Sequence, residues 1–304
     1  MQLHLHKMNL PDKTDGLVGI VVLNYRGATK TLACLESLAK LDYQNHRIVV
    51  VDNASLDGSA EQIAQGSPGV ELIQSDQNLG YAGGNALGVR RCLEWGAVYV
   101  WVLNNDTQVM PTTLSAMVRE AQLHPKTGAV GCVIRDEQDP SRVLAMGGGR
   151  LFPLIARAWH VTKLEDVNKL DFLTGASILI PTPVIQAIGF ISEDYFLYWE
   201  DVDYCYRLRE HGYELHVALD ASILHDESSS IGRASQLRYY YSTRSMVKFL
   251  YTHYRQSWVL SAGFWYCWRV IKPIFEFDFK LCHLFAKALF DGAKNRRNKL
   301  YAQK

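Results

Sequence analysis

LVGIVVLNYRGATKTLACLESLAKLDYQNHRIVVVDNASLDGS, residues 17–59, decides the fold. Leu17–Leu23 is an unbroken apolar run rich in Val and Ile, the pattern of a strand buried on both faces. Thr29–Leu41 then repeats Leu32, Leu35, Leu38 and Ala39 at helical spacing, and Arg47–Val51 is a second buried strand that stops at Asp52-Asn53. Strand, helix and strand in so short a stretch make a βαβ unit.

The alternation continues outward. Ser59–Ala64 reads as helix, Val70–Gln74 as strand, Ala82–Trp95 as helix after a glycine-rich turn, and Ala97–Leu103 as the strongest strand. Pro111 suits the first position of a helix running through Leu123, and Ala129–Ile134 is another strand. This order predicts a mostly parallel, doubly wound α/β sheet with helices on both faces. From Arg135 to Leu170 the pattern weakens around a Gly147-Gly148-Gly149 turn. Beyond it, Phe172–Ile180 is expected as strand, Pro183–Ile188 and Asp201–His211 as helices, Glu214–Ala218 as strand, and Gln236–Tyr254 as a long helix crowded with tyrosines.

The chain has 304 residues, 48% apolar and 21% charged, which excludes a disordered or fibrous protein. Its net charge of +1 argues against a dedicated nucleic-acid binder. The balance conceals an uneven distribution: residues 257–304 hold nine Lys/Arg against three Asp/Glu, a net +6, and the rest is mildly acidic. Cysteines 34, 92, 132, 205, 267 and 282 are scattered, and residues 1–16 read as a loose polar leader without a signal-peptide pattern. A reducing, cytoplasmic setting is therefore expected. The longest apolar stretch, Trp258–Trp268, is about half the ~20 residues that span a bilayer.

Ligands of doubly wound sheets sit at the carboxyl ends of the strands. Here those ends read Asn24-Tyr25, Asp52-Asn53 and Asn104-Asn105-Asp106. Asp52 either accepts from a base N–H or ribose hydroxyls, or serves as a turn residue. Tyr25 either stacks on a base or packs. Asn78-Leu-Gly-Tyr-Ala-Gly-Gly-Asn85 offers backbone N–H groups at a helix start, where phosphate is favoured, or simply allows tight helix–sheet packing. Asn104-Asn105-Asp106 supplies oxygen ligands for Mg²⁺ or Mn²⁺, or forms a turn. On a helix Glu200, Asp203 and Arg207 share one face while Asp201 lies beside Cys205 and Leu208. Acids there cap the helix, or Asp201 among apolar neighbours gains the raised pKa of a general base. His225 is either structural or a further metal ligand.

Together VVLNY (21–25), VVVDNASLDGS (49–59), NLGYAGGNALG (78–88), WVLNNDT (101–107), FLTGASILIP (172–181), YFLYWEDVDYCYRLREHGY (195–213) and His225 resemble glycosyltransferase family 2, inverting enzymes of the GT-A nucleotide-diphospho-sugar transferase fold. The resemblance implies roles. Asn24, Tyr25, Asp52, Asn53, Asn78, Gly80, Asn85, Asn104 and Asn105 fall on the nucleotide-sugar site, with Asp52 as the base reader. Asp106 matches the last acid of the D-x-D metal motif, His225 a metal- and diphosphate-facing histidine, and Asp201, with Glu200, the catalytic base. Gly175, Ala176, Trp199, Asp203 and Arg207 fall on the acceptor and supporting side. The chain departs from the motif where Asn104 and Asn105 replace its first acids.

LNNDT and WEDVDYCYRLR look most like rhamnosyltransferases of bacterial cell-surface polysaccharides. That resemblance implies a divalent metal (Mg²⁺ or Mn²⁺), a dTDP-L-rhamnose donor, with a UDP-sugar next, and a glycan or lipid-linked acceptor. Two alternatives stand beside it. A sugar-nucleotidyltransferase needs a basic glycine-rich loop after the first strand, where this chain has Asn24-Tyr25-Arg26-Gly27. A non-catalytic nucleotide-sugar-binding subunit is allowed by the thin metal motif, while an intact Glu200-Asp201 pair argues against it.

The expected organisation is a leader (1–16), a nucleotide-sugar half (17–134), an acceptor half (135–254) and a basic, aromatic-rich helical tail (255–304). In the tail Leu281, Leu284, Phe285, Ala288 and Leu289 form an apolar stripe with Lys280, His283, Lys287 and Asp291 opposite. Such a stripe suits peripheral contact through 257–300 with the inner face of an anionic membrane, docking on the body, or a homodimer contact.

Overall fold

In the computed structural model, which describes residues 16–226, 236–276 and 278–294, the apolar run of the first strand becomes β1 (Val18–Asn24). The rest of the leader and the tail residues from 295 onward lie outside the described residues. There follow α1 (Ala28–Leu38), β2 (His46–Asp52), α2 (Ser59–Gly66), β3 (Glu71–Gln74), α3 (Gly80–Glu94), β4 (Tyr99–Asn104), β5 (Thr107–Val109), α4 (Thr113–Leu123) and β6 (Thr127–Asp136). Next come β7 (Val143–Met146), β8 (Gly148–Phe152), β9 (Arg157–His160), β10 (Phe172–Leu173), β11 (Ser177–Pro181) and α5 (Thr182–Ile188). The described chain closes with α6 (Glu200–Glu210), β12 (Glu214–His225), α7 (Gln236–His253), α8 (Trp258–Phe275) and α9 (Phe279–Ala293).

The main sheet runs β3-β2-β1-β4-β11-β6-β12-β5, with β7 paired on β6. β3, β2, β1 and β4 are mutually parallel, and β12 is parallel to β6. β11 is inserted antiparallel between β4 and β6. Alternate side chains feed two cores. Val21, Val49, Val100 and Val102 pack with α3, α5 and α6 on one face. Ile20, Val22, Val50 and Trp101 pack with α1 and α4 on the other. Burial pushes the thiols of Cys34, Cys92, Cys132 and Cys205 up to about 12, which makes them packing groups.

Four expectations change. The Phe172–Ile180 strand is interrupted: Thr174–Ala176 turns away, so β10 joins a small sheet of order β10-β8-β9 while β11 enters the main one. Gly148 and Gly149 belong to β8 rather than to a turn, because a Cβ on Gly148 would stand 1.9 Å from the Phe172 carbonyl oxygen. Pro111 precedes the helix instead of starting it. The turn is closed by Thr113, whose hydroxyl accepts from the Met110 N–H at 3.0 Å. β12 runs past Ala218 to His225 through a bulge at 219–221, where Asp220 pairs with Arg119.

The apolar stripe of α9 docks on the body. Leu284, Phe285 and Ala288 are buried against Tyr239, Tyr240 and Tyr241 of α7 and Trp265 of α8. Asp291, expected on the polar side, is buried and accepts from the Tyr240 hydroxyl at 2.6 Å. Burying Leu284 and Phe285 contributes roughly 1.5–3 kcal/mol each. No helix of the described residues is long and apolar enough to cross a membrane.

Candidate active site

The parallel register brings the polar strand ends to one edge: Asn24 is opposite Asp52, and Leu23 opposite Asn104. There Asn24, Asp52 and Asn53 are all buried, so their polar atoms must pair. Asp52 Oδ1 accepts from Asn24 Nδ2 at 2.7 Å and from the Ser55 hydroxyl at 2.5 Å, and Oδ2 accepts from the Ser55 N–H at 3.1 Å. Asn53 Nδ2 donates to Asn78 Oδ1 and to the Gly80 carbonyl, both at 3.0 Å, while its Oδ1 accepts from the Leu79 N–H at 2.9 Å. Asn53 therefore ties the end of β2 to the start of α3. Gly80 itself sits at φ +73°, where a Cβ would meet the Phe196 carbonyl oxygen at 2.1 Å. Asn85 is buried within α3 and donates to the Tyr81 carbonyl at 2.9 Å. Tyr25 is half-buried at the rim under the Arg26 guanidinium, 5.2 Å from its ring centre.

After β4, the Asn104 N–H donates to the Ala176 carbonyl at 3.0 Å, and Asn105 Nδ2 donates to the Thr31 hydroxyl at 2.9 Å. Both amides thus serve the fold around Asp106. The antiparallel pairing of β12 on β5 sets His225 opposite Thr107, and His225 Nε2 lies 3.2 Å from Asp106 Oδ1. Two ligand atoms at ~2.1 Å from one ion stand ~3 Å apart, and a carboxylate with an imidazole suits Mn²⁺ or Mg²⁺. The donor set and spacing fit a divalent cation. Lys30 of α1 pairs with Asp226, adding a cation at this edge. Another group of ligand-type side chains, Glu120, His124 and His216, lies near the amino end of β12, with the imidazoles stacked 4.0 Å apart.

Glu200 and Asp201 open α6, preceded by Tyr198 and Trp199 at φ +66° and +68°. Asp201 Oδ2 accepts from the Gly175 N–H at 3.0 Å, and Oδ1 from the Val202 N–H at 2.8 Å. Burial raises the Asp201 carboxyl above the usual carboxylate range despite those two N–H groups. Burial, then the Asp201 charge, push Glu200 well above its ordinary value; its Oε2 is buried without a partner. Both carboxyls are therefore raised at the same buried helix start, Glu200 with the Asp201 charge among its causes. Tyr81 of α3 stands beside this acidic pair. Its hydroxyl donates to the Gly175 carbonyl at 2.5 Å, and burial, then the charges of Glu200, Asp201 and Asp106, hold its pKa well above 10.

Asp203 and Arg207 stand apart from this edge. Asp203 Oδ1 accepts from the Tyr195 hydroxyl at 3.1 Å and faces His253 Nε2 at 2.8 Å, while Oδ2 accepts from Arg207 Nε at 3.0 Å. Burial alone raises this carboxyl, but His253 and Arg207 outweigh it and hold it below the usual range. Arg207 also donates to the carbonyls of Ile188 and Phe190 at 3.0 and 2.7 Å. Both residues knit α6 into the body. The Trp199 ring packs on Phe249, 5.4 Å between centres. Sequence reasoning missed Ser55, Tyr81 and Lys30. The serine follows an Asp-Asn turn and the tyrosine lies inside the glycine-rich loop, so only their neighbours pointed to them.

A mixed sheet of this order, with polar residues gathered at the strand ends, has the architecture of the GT-A fold. In agreement, the mannosyltransferase PcManGT from Pyrobaculum calidifontis, solved with GDP-Man and Mn²⁺, superposes with a TM-score of 0.59 at 18% identity, covering 94% of this chain and 76% of that one. The family model for glycosyl transferase family 2 matches residues 18–158. An N-acetylglucosaminyl-diphospho-decaprenol L-rhamnosyltransferase of Mycobacterium tuberculosis is 27% identical over 70% of this chain and 77% of its own length. The dTDP-rhamnosyl transferase RfbF of Shigella flexneri is 23% identical over 67% of both. The chain is a glycosyltransferase that resembles family 2 and, within it, the rhamnosyltransferases.

Proposed function

We propose that this enzyme moves a sugar from a nucleoside-diphosphate donor, dTDP-L-rhamnose favoured and a UDP-sugar next, to a hydroxyl of a glycan or lipid-linked acceptor, with inversion, in cell-surface polysaccharide synthesis. The observation that carries the reading is the Asp201 carboxylate, fixed by the Gly175 N–H, with the next residue, Ala176, accepting from the Asn104 N–H at the strand end that leads to Asp106. The nucleotide lies against Asn24, Tyr25, Asp52 and Asn53 in the half formed by 17–134, and the acceptor enters from the half formed by 135–254. The rhamnosyltransferase names of both relatives support the donor, and the diphospho-decaprenol in one of those names supports a lipid-linked acceptor.

Asp201 takes the proton of the acceptor hydroxyl, whose oxygen attacks the anomeric carbon opposite the departing diphosphate. The bond from that carbon to the phosphate oxygen breaks, and the nucleoside diphosphate leaves with the electron pair. One displacement inverts the configuration. Glu200, raised by burial and by the Asp201 charge, stands beside the base, and the Lys30–Asp226 pair lies next to Asp106 at the edge that faces the departing anion. Asp106 and His225 would hold a divalent cation, which when bound neutralises charge on the diphosphate. We place the enzyme in the cytoplasm as a peripheral protein at the inner membrane face.

The test is a screen of dTDP-, UDP- and GDP-sugars for released nucleoside diphosphate, with and without Mn²⁺, followed by mass spectrometry of the product. Release and transfer from dTDP-L-rhamnose are expected. Absence of release from every donor, with no thermal stabilisation by any nucleotide, overturns the reading.

A further inference from the structure

We propose that the outer face of α8 and the tip of the β8–β9 hairpin form one docking surface for an anionic lipid bilayer, which delivers a membrane-held acceptor to the Asp201 side of the enzyme; the delivery clause rests on the function proposed above. The tail stripe read from the sequence is spent on docking α9, but α8 carries a second one that remains outside. Leu260, Phe264, Trp268, Ile271 and Phe275 recur at helical spacing and are 77%, 56%, 69%, 51% and 79% exposed. Gly263 and Cys267, exposed between them, add no charge. The opposite side, through Ala262, Trp265 and Val270, is buried against the body, so α8 lies flat with its apolar face outward.

The second segment comes from a distant part of the chain. The turn Pro153–Ile155 packs directly on α8, and at its tip Leu154 is 74% exposed beside the exposed, stacked pair Phe152–Trp159. From this tip β8 runs to its partner β10, and the chain leaving β10 reaches Gly175, the donor to Asp201. The hairpin therefore connects the apolar surface to the acceptor side of the site.

Charge selects the occupant. Arg157 beside the hairpin turn, Arg269 on α8 and Lys280 at the start of α9 are exposed, as are Glu276 and Asp278 after α8, and the sequence from 257 onward holds nine basic against three acidic residues. An uncharged stripe on a helix about 27 Å long, in a segment of net positive charge and too polar overall to span, suits the interface of an anionic membrane. A second copy of the chain would set the same net positive segment against itself, at a cost in repulsion.

The full chain is floated with vesicles of 40% phosphatidylglycerol in phosphatidylcholine and with phosphatidylcholine alone. Binding to the anionic vesicles, weakened by salt, is expected. Phe264→Glu/Trp268→Glu is expected to lower partition about tenfold or more, and Leu154→Glu about threefold. Thermal stabilisation by dTDP or UDP with Mn²⁺ is read in the same variants and should persist, which separates this proposal from the transferase reading. No vesicle binding by the wild-type chain, or binding unchanged in the α8 variant, overturns the surface. Binding unchanged in Leu154→Glu overturns the two-segment form. A dimer in lipid-free buffer that the α8 substitutions dissociate makes the face a protein interface and overturns the membrane assignment.

Discussion

Replacing Gly80 with alanine sets a methyl group against backbone, and the structure contains its own control. Gly80 and Gly96 have nearly the same left-handed backbone, φ +73° and +72°. At Gly96 a Cβ meets nothing within 4 Å; at Gly80 it meets the Phe196 carbonyl oxygen at 2.1 Å. Alanine at either position carries the left-handed penalty of about 1–2 kcal/mol. At Gly80 the carbonyl must also retreat by about 1 Å, which breaks the 2.7 Å bond it accepts from the Tyr81 N–H, worth about 1 kcal/mol. The shift also strains the Asn53 bonds to Leu79 and Gly80, for roughly another 1 kcal/mol. Gly80→Ala should therefore cost about 3–4 kcal/mol and Gly96→Ala about 1–2, a gap of ~2 kcal/mol.

Urea denaturation of the two variants beside the wild type reads the gap directly. A second reading comes from nucleotide affinity, because Asn53 links the displaced turn to the strand ends. Affinity should fall about tenfold in Gly80→Ala and stay unchanged in Gly96→Ala. Equal denaturation midpoints for the two variants would refute the steric argument. Equal nucleotide affinities with unequal midpoints would refute the placement of the nucleotide beside this turn.

Asp201→Asn should slow transfer by about 10²–10⁴-fold while thermal stabilisation by the nucleotide persists. Because burial raises the Asp201 carboxyl above 3.8, wild-type transfer should decline on acidification at a pH above the ordinary carboxylate range, and the residual activity of the variant should lack that decline. Asp106→Asn and His225→Ala should each remove the Mn²⁺-dependent part of nucleotide binding, measured by calorimetry in a His216→Ala background that silences the Glu120–His124–His216 group; an unchanged metal effect would place the ion elsewhere. Glu200 has a folded pKa above its ordinary 4.5, so the stability it contributes is fully present below that value and lost as pH rises through the folded pKa. Glu200→Gln should therefore match the wild type in acid and exceed it at pH 8 by about 1–3 kcal/mol in urea denaturation.

Much of the fold is legible because the strands of the first half are buried on both faces, and so read as uninterrupted apolar runs ending in Asn24, Asp52 and Asn104. The same logic explains the misses. β8 and β9 form a small sheet with one side open to solvent, and β8 begins with glycines demanded by the close approach of Phe172. No apolar run marks them. The far half of β12 hides behind Asp220, which breaks the pattern at the bulge although the strand continues to His225. In the candidate site, turn residues at strand ends were readable singly, but their pairing was not. Asp106 meets His225 only because the short β5 pairs antiparallel with β12. Asp203 and Glu200 look alike in sequence, two acids in one helical turn. Only packing separates them: Asp203 has His253 and Arg207 as partners, whereas Glu200 is left with an unpartnered oxygen.

That contrast bears on why the C-terminal helices accompany the sheet. Tyr198 and Trp199 both hold left-handed backbone immediately before Glu200 and Asp201, a conformation that costs bulky residues about 1–3 kcal/mol each and persists only where neighbours impose it. The neighbours belong to α7. Its Ser245 hydroxyl donates to the Leu197 carbonyl at 2.9 Å, and its Lys248 pairs with Asp194 at 3.1 Å. Tyr241 stacks on Phe196, and Phe249 backs Trp199. His253, at the far end of the same helix, reaches Asp203. α7 is in turn pinned by α9 through Tyr240–Asp291 and the buried Leu284, Phe285 and Ala288. The strain that aims Asp201 at Gly175 is thus sustained by helices that contribute no residue to the edge itself. A tail with one apolar face spent on holding α7 and another left outward on α8 combines two tasks, fixing the acidic pair and meeting the surface from which an acceptor arrives.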